Sequence, residues 1–234
     1  MSGGEAIALK VGVQLITRVA PTGMAWVTTW LRGKKILIVG QPRAGKTSFV
    51  DYFQYGTFAT PNIPTDRTTK IVKTAGFRVV AGKNERLQIQ IKHAIDTIGQ
   101  VRPGEHAENF AYFKPHALIV MLDLTSNWEG DNEYSGKYYL QEFSSNLSEK
   151  LRERRPLRKV LSSIVLVLNK KDLVSQTTIS DWTTNSRTIM DHTLESGFGP
   201  RTRSVRIIPC SLIQAHDNGE SADHIIQHLA LSLR

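Results

Sequence analysis

One stretch constrains this chain more than any other: Gly40-Gln41-Pro42-Arg43-Ala44-Gly45-Lys46-Thr47, with Ser48 following. It satisfies G-x-x-x-x-G-K-[ST] in full. The apolar run Ile36-Leu37-Ile38-Val39 stands directly before it, and a helical pattern over about residues 45–55 opens directly after it. A buried strand, a glycine-bearing turn and a helix in that order make a phosphate cradle. Glycine lets the backbone curl so that successive N–H groups face an anion, and the helix N-terminus adds partial positive charge. Lys46 is then the cation for the β- and γ-phosphates, and the Thr47 hydroxyl a ligand for Mg²⁺. The pattern points to a nucleoside triphosphate and leaves the base open.

The rest of the chain reads as the frame for such a loop. Leu118-Ile119-Val120-Met121-Leu122 and Ile164-Val165-Leu166-Val167-Leu168 are uninterrupted apolar runs like 36–39, and Val205 to Pro209 is a shorter one. Runs without alternation are strands buried on both faces. Helical spacing lies between and after them, at about 136–155, 179–196 and 220–233. Residues 68–80 and 85–95 flank Ala81-Gly82-Lys83-Asn84, and Leu87, Ile89 and Ile91 alternate, which predicts an antiparallel hairpin. The expectation is an α/β domain of three layers over residues 35–234, its six-stranded sheet mostly parallel with one antiparallel edge strand. Apolar residues are 40% of the 234, enough for a core of that size.

Residues 1–34 stand apart. Ile7, Val11, Leu15 and Val19, with Ala8, Gly12 and Ile16 beside them, have helical spacing up to Pro21. Trp26, Val27, Trp30 and Leu31 repeat the pattern before Arg32, Lys34 and Lys35. The expectation is an amphipathic helical extension whose apolar stripe docks on protein, with a membrane interface as the competing cover. A single cysteine, Cys210, excludes an intramolecular disulfide framework and fits a reducing compartment. With no apolar stretch near the ~20 residues of a membrane span and no cleaved-leader pattern, a cytoplasmic protein is expected, peripheral to a membrane at most. The net charge of +9 admits polyanionic partners. The basic run from Lys150 through Arg158 and Lys159 carries no interleaved aromatic residue for stacking bases. It reads as a solvated helix end, and nucleic acid is not an expected partner.

Three more segments fall at predicted strand ends, where open α/β sheets bind ligands: Asp96-Thr97-Ile98-Gly99-Gln100, Asn169-Lys170-Lys171-Asp172 and Cys210-Ser211-Leu212. In this order with the phosphate loop they resemble the small GTPases of the Ras/Arf superfamily, over about residues 35–234. Gly56 to Thr65 resembles an Arf-type first switch, and Thr65 stands 65 − 47 = 18 positions after Thr47.

The resemblance implies the roles. Asp172 accepts two hydrogen bonds from guanine, which adenine does not offer, so ATP would leave a carboxylate unpaired. Asn169 braces the loop, the Lys170 stem covers the base plane, and the segment Cys210, Ser211 and Leu212 supplies a backbone N–H to the guanine oxygen. Asp96 holds Mg²⁺ through a water, Gly99 donates its N–H to the γ-phosphate, and Gln100 orients the attacking water. Thr65 ligates Mg²⁺ in the triphosphate state, with Thr68 and Thr69 as nearby competitors, and Gln100 has an exposed-loop reading beside the catalytic one. The implied ligands are GTP or GDP with Mg²⁺. The implied function is a GTP-hydrolysing switch, slow without an activator and read by effector and regulator proteins.

Pro42 and Arg43 depart from the family pattern, since Pro42 removes a backbone donor and fixes φ. They support the alternative of a GTP- or GDP-loaded interaction module with little hydrolysis, while an ATP-using P-loop enzyme is a third reading. Base choice is testable from the sequence alone. Asp172→Asn exchanges a double acceptor for one acceptor and one donor, so GTP affinity should fall, by up to about 10⁴-fold, while xanthosine triphosphate binding rises. Equilibrium titration of both nucleotides measures it.

Overall fold

The computed structural model describes residues 16–19, 34–55, 70–72, 76–82, 85–89, 93–96, 102–199, 205–212 and 220–233. Its centre is four parallel strands: β2 (Lys35–Gly40), β7 (Ala117–Asp123), β8 (Ser163–Asn169) and β9 (Arg206–Pro209). Their side chains alternate between two faces, and both faces are buried. Ile36, Ile38, Ile119, Met121, Val165 and Val167 point to one side. There they meet Phe49, Val50 and Tyr52 of α1 (Lys46–Tyr55) and Ile225, Ile226 and Leu229 of α6 (Glu220–Ser232). Tyr52 Oη reaches Asp223 Oδ1 at 2.5 Å and ties these two helices together.

Leu37, Val39, Leu118, Val120, Leu166 and Leu168 point to the other side. They are covered by α2 (Pro103–Phe113), α3 (Gly136–Glu153) and α5 (Gln176–Phe198). The buried His106 Nδ1 and Tyr139 Oη, 2.8 Å apart, join α2 to α3, and burial pushes the Tyr139 phenol well above its usual pKa, so it keeps its proton. Two helix layers around a parallel sheet follow from apolar runs that must be covered twice.

The strands β3 (Lys70–Val72), β4 (Gly76–Gly82), β5 (Glu85–Ile89) and β6 (His93–Asp96) divide between two sheets. β6 pairs in parallel with β2, and β3 pairs antiparallel with β6 at the edge. β4 and β5 pair with each other in a separate sheet. One register serves both pairs: Lys70↔Asp96 becomes Phe77↔Ile89 seven residues along each strand (77 − 70 = 96 − 89 = 7). The hairpin expected at 68–95 is thus one register shared between two sheets.

The N-terminal expectation needs correction. Ile16–Val19 is not helical. It forms β1, which pairs antiparallel with β4 through Ile16↔Val79 and Val19↔Gly76. Three of its four residues are β-branched, and the open edge of β4 supplies partners for a strand. Residues 1–15 and 20–33 lie outside the described residues.

Helix α3 stops at Glu153, and Pro156 then opens the short α4 (Arg155–Val160). Arg158 donates to the carbonyls of Leu151 (2.5 Å) and Arg152 (3.0 Å), which the helix end leaves without intrahelical partners. Lys150 bridges to Glu108 of α2 at 2.7 Å. Segment 124–135 is irregular, and Trp128 within it is half-buried. It meets Trp182 of α5 edge to face at 4.8 Å, beside Gly136, where an added Cβ would stand 2.5 Å from the Trp182 ring. Among the described residues no helix is long and apolar enough to cross a membrane.

Phe143 is fully buried and stacks on Tyr139 at 6.1 Å between α3 and the sheet. Phe143→Ala should lower the unfolding free energy by about 3–5 kcal/mol, read by urea denaturation.

Candidate functional site

The phosphate-loop residues occupy the turn from β2 into α1, and each glycine has a local reason. A Cβ on Gly40 would stand 2.1 Å from the Met121 carbonyl oxygen on the neighbouring strand. Gly45 has φ +87°, and a Cβ there would lie 2.5 Å from Asn169 Nδ2. Between them Pro42 is buried, while Arg43 is exposed at φ 61°, a left-handed conformation that carries a side chain at some cost. Ala44 is fully buried. Lys46 opens α1 and is nearly buried, its ammonium donating to the carbonyls of Gly40 (2.9 Å) and Gln41 (2.6 Å). Thr47 and Ser48 follow on the first turn of α1, both half-buried.

Gln41 does more than fill a variable position. Its backbone N–H donates to Met121 O at 3.0 Å. Its side-chain Oε1 accepts from the Asp123 N–H at 2.9 Å, and Nε2 donates to Tyr134 O at 2.9 Å. Gln41, 1% exposed, thereby ties the phosphate loop to the end of β7 and to segment 124–135.

The base-side segment sits across from this loop because β7 and β8 run parallel in the register Asp123↔Asn169. Asn169, 4% exposed, donates from Nδ2 to Ala44 O at 2.9 Å and accepts at Oδ1 from Leu212 N at 3.1 Å. One amide therefore joins three segments far apart in sequence. Cys210 accepts from Lys171 N at 2.9 Å and donates its own N–H to Leu168 O at 2.8 Å, which seats the third segment against the second. Ser211 is buried, and its hydroxyl finds no partner among the described residues. Lys170 takes φ 68°, and its ammonium pairs with Asp123 Oδ2. Asp172 lies exposed on the short 3-10 turn Lys171–Leu173.

Of the other expected residues, Asp96 ends β6 and pairs with Ile38, two residues before Gly40, so its backbone stands beside the start of the loop. Thr65, Gly99 and Gln100 lie outside the described residues. The sequence reading missed Asp123. Its only signal was a polar residue closing an apolar strand, in line with the other strand ends. His224 is exposed. His228, its pKa lowered by burial and by Arg206, lies 3.2 Å from Ser232 Oγ through Nε2. Among the described residues no three His, Cys, Asp or Glu gather as a metal site.

Asn169→Leu leaves the Ala44 carbonyl and the Leu212 N–H buried without their partner. Unfolding free energy should fall by about 2–4 kcal/mol, and thermal denaturation at several urea concentrations measures the loss.

Two comparisons bear on this geometry. Among curated proteins, none matches this chain. The family model described as "Ras of Complex, Roc, domain of DAPkinase" matches residues 35–172, from the first residue of β2 to the aspartate of N-K-x-D. That span is more than half of the 234 residues, and it holds both the phosphate loop and the asparagine that braces it. The chain belongs to the Roc family, Ras-like GTP-binding domains of the P-loop GTPase superfamily.

Proposed function

We propose that this chain binds GTP with Mg²⁺ at the strand-end site and hydrolyses it as a molecular switch. The observation that carries the reading is the Asn169 amide, which holds Ala44 of the phosphate loop and Leu212 of the third segment at 2.9 and 3.1 Å. A triphosphate cradle and a base loop locked together define a ligand with a phosphate chain at one end and a base at the other. Lys46 and the loop N–H groups from Gly40 to Ser48 take the phosphates, apart from that of Gln41, which donates to Met121 O, and Pro42, which has none to offer. Thr47, Thr65 and Asp96 supply the Mg²⁺ shell, with Asp96 placed beside the loop by its pairing with Ile38.

On the base side, exposed Asp172 accepts from the guanine edge, and the base itself then covers the carboxylate from water. The Lys170 stem lies along the base, and backbone N–H groups of the Cys210, Ser211 and Leu212 segment face the guanine oxygen. The sheet that carries these residues is then the six-stranded P-loop GTPase sheet. Gln100 orients the attacking water, and γ-phosphate contacts at Thr65 and Gly99 order the two switch segments that partner proteins read. The covalent work is small, so slow turnover without an activating partner is expected.

The alternative of a loaded module with little hydrolysis rests on one feature, the buried Pro42 followed by the left-handed Arg43. This pair removes one loop donor and leaves the Arg43 side chain exposed beside the loop. Single-turnover phosphate release from the GTP-loaded protein separates the readings. Wild type should exceed Gln100→Leu by on the order of tenfold or more. Equal, slow release by both would sink the hydrolytic reading, and adenine nucleotide found by mass after denaturing the purified protein would sink the guanine assignment.

A further inference from the structure

Asp123 is a carboxylate that no sequence motif claims, and it is 6% exposed at the end of β7. Three donors converge on it. Thr125 N and Thr125 Oγ1 reach Oδ1 at 2.9 and 2.6 Å, and the Lys170 ammonium reaches Oδ2. Its backbone N–H donates to Gln41 Oε1 at 2.9 Å. The Asp123↔Asn169 pairing of two parallel strands puts the carboxylate within reach of the residue that follows Asn169. Lys170 itself is held at φ 68° between the bracing Asn169 and the turn that bears Asp172.

We propose that Asp123 is the positioning residue for base recognition. It fixes the Lys170 stem as a preformed wall of the base pocket and links that wall through Gln41 to the phosphate loop. The inference rests on the guanine-nucleotide reading above. A free lysine side chain is among the costliest to order, and a lysine anchored before the ligand arrives does not incur that cost at binding. The pair is poorly hydrated, with side-chain exposures of 26% for Lys170 and 9% for Asp123, so its attraction is weakly screened. Asp123 touches no part of the proposed ligand. Its effect passes through Lys170.

The variant Asp123→Asn keeps an acceptor oxygen for Thr125 and removes the charge that holds Lys170. Lys170→Met keeps the apolar stem and removes the ammonium. GDP and GTP affinities and GDP release rates are measured for wild type, both single variants and the double variant, with a thermal melt of each. Asp123→Asn should weaken nucleotide binding roughly tenfold and speed release in the wild-type background. In the Lys170→Met background it should change neither by more than about twofold, because the partner it positions is gone. An equal loss in both backgrounds would mean that Asp123 acts only on the Thr125 turn, and would overturn the proposal. Unchanged affinity in Asp123→Asn would overturn it too. Wild-type protein without guanine-nucleotide affinity would instead defeat the underlying reading, so the two failures are distinguishable.

Discussion

The buried side-chain amide of Asn169 is the contact on which the geometry of the site depends. A single amide can donate and accept at once, and here it does both between backbones that share no sequence neighbourhood, Ala44 and Leu212. Both partners are main-chain groups buried where water cannot substitute, so the bonds are costly to leave unmade. The phosphate loop can be a loop of fixed shape, rather than a flexible glycine-rich turn, because its middle carbonyl is tied down from the next-but-one strand.

That contact is possible because the central strands are parallel and staggered by small, fixed steps. Ile36 pairs with Ala117, and Ala117 with Ser163, so the strands finish nearly level, at Gly40, Asp123 and Asn169. β7 and β8 run apolar through their middles and close on a polar residue, Asp123 and Asn169, as they leave the two helix layers. The core and the site are consecutive parts of the same strands. Burial on both faces fixes which residues are inside, and the shared ends bring the polar ones together.

Much of this was legible in the residues. The apolar runs at 36–39, 118–122 and 164–168 read as buried strands because nothing polar interrupts them. G-x-x-x-x-G-K-T and N-K-x-D read as a pair because each is a local pattern with a chemical demand. Other features needed the fold. Asp123 looks like the polar end of a strand until β8 brings Lys170 to it. Gln41 occupies an unrestricted motif position, and its role exists only because segment 124–135 returns beside the loop. The stretch around Ile16 misled because Ile16, Thr17 and Val19 are β-branched and suit a strand, whatever spacing the neighbouring apolar residues show. There the free edge of β4, which no local period encodes, decided the conformation.

The 2.5 Å between a notional Cβ on Gly45 and Asn169 Nδ2 has a consequence for how such a chain can drift under mutation. Two positions 124 apart along the sequence occupy what is nearly one volume (169 − 45 = 124). Enlarging the first displaces the second, and shortening the second removes the bond that shapes the turn around the first. Neither position can be exchanged in isolation. A loop transplanted from another protein would keep its shape only if the asparagine travelled with it, so the smallest heritable unit of this site spans most of the domain.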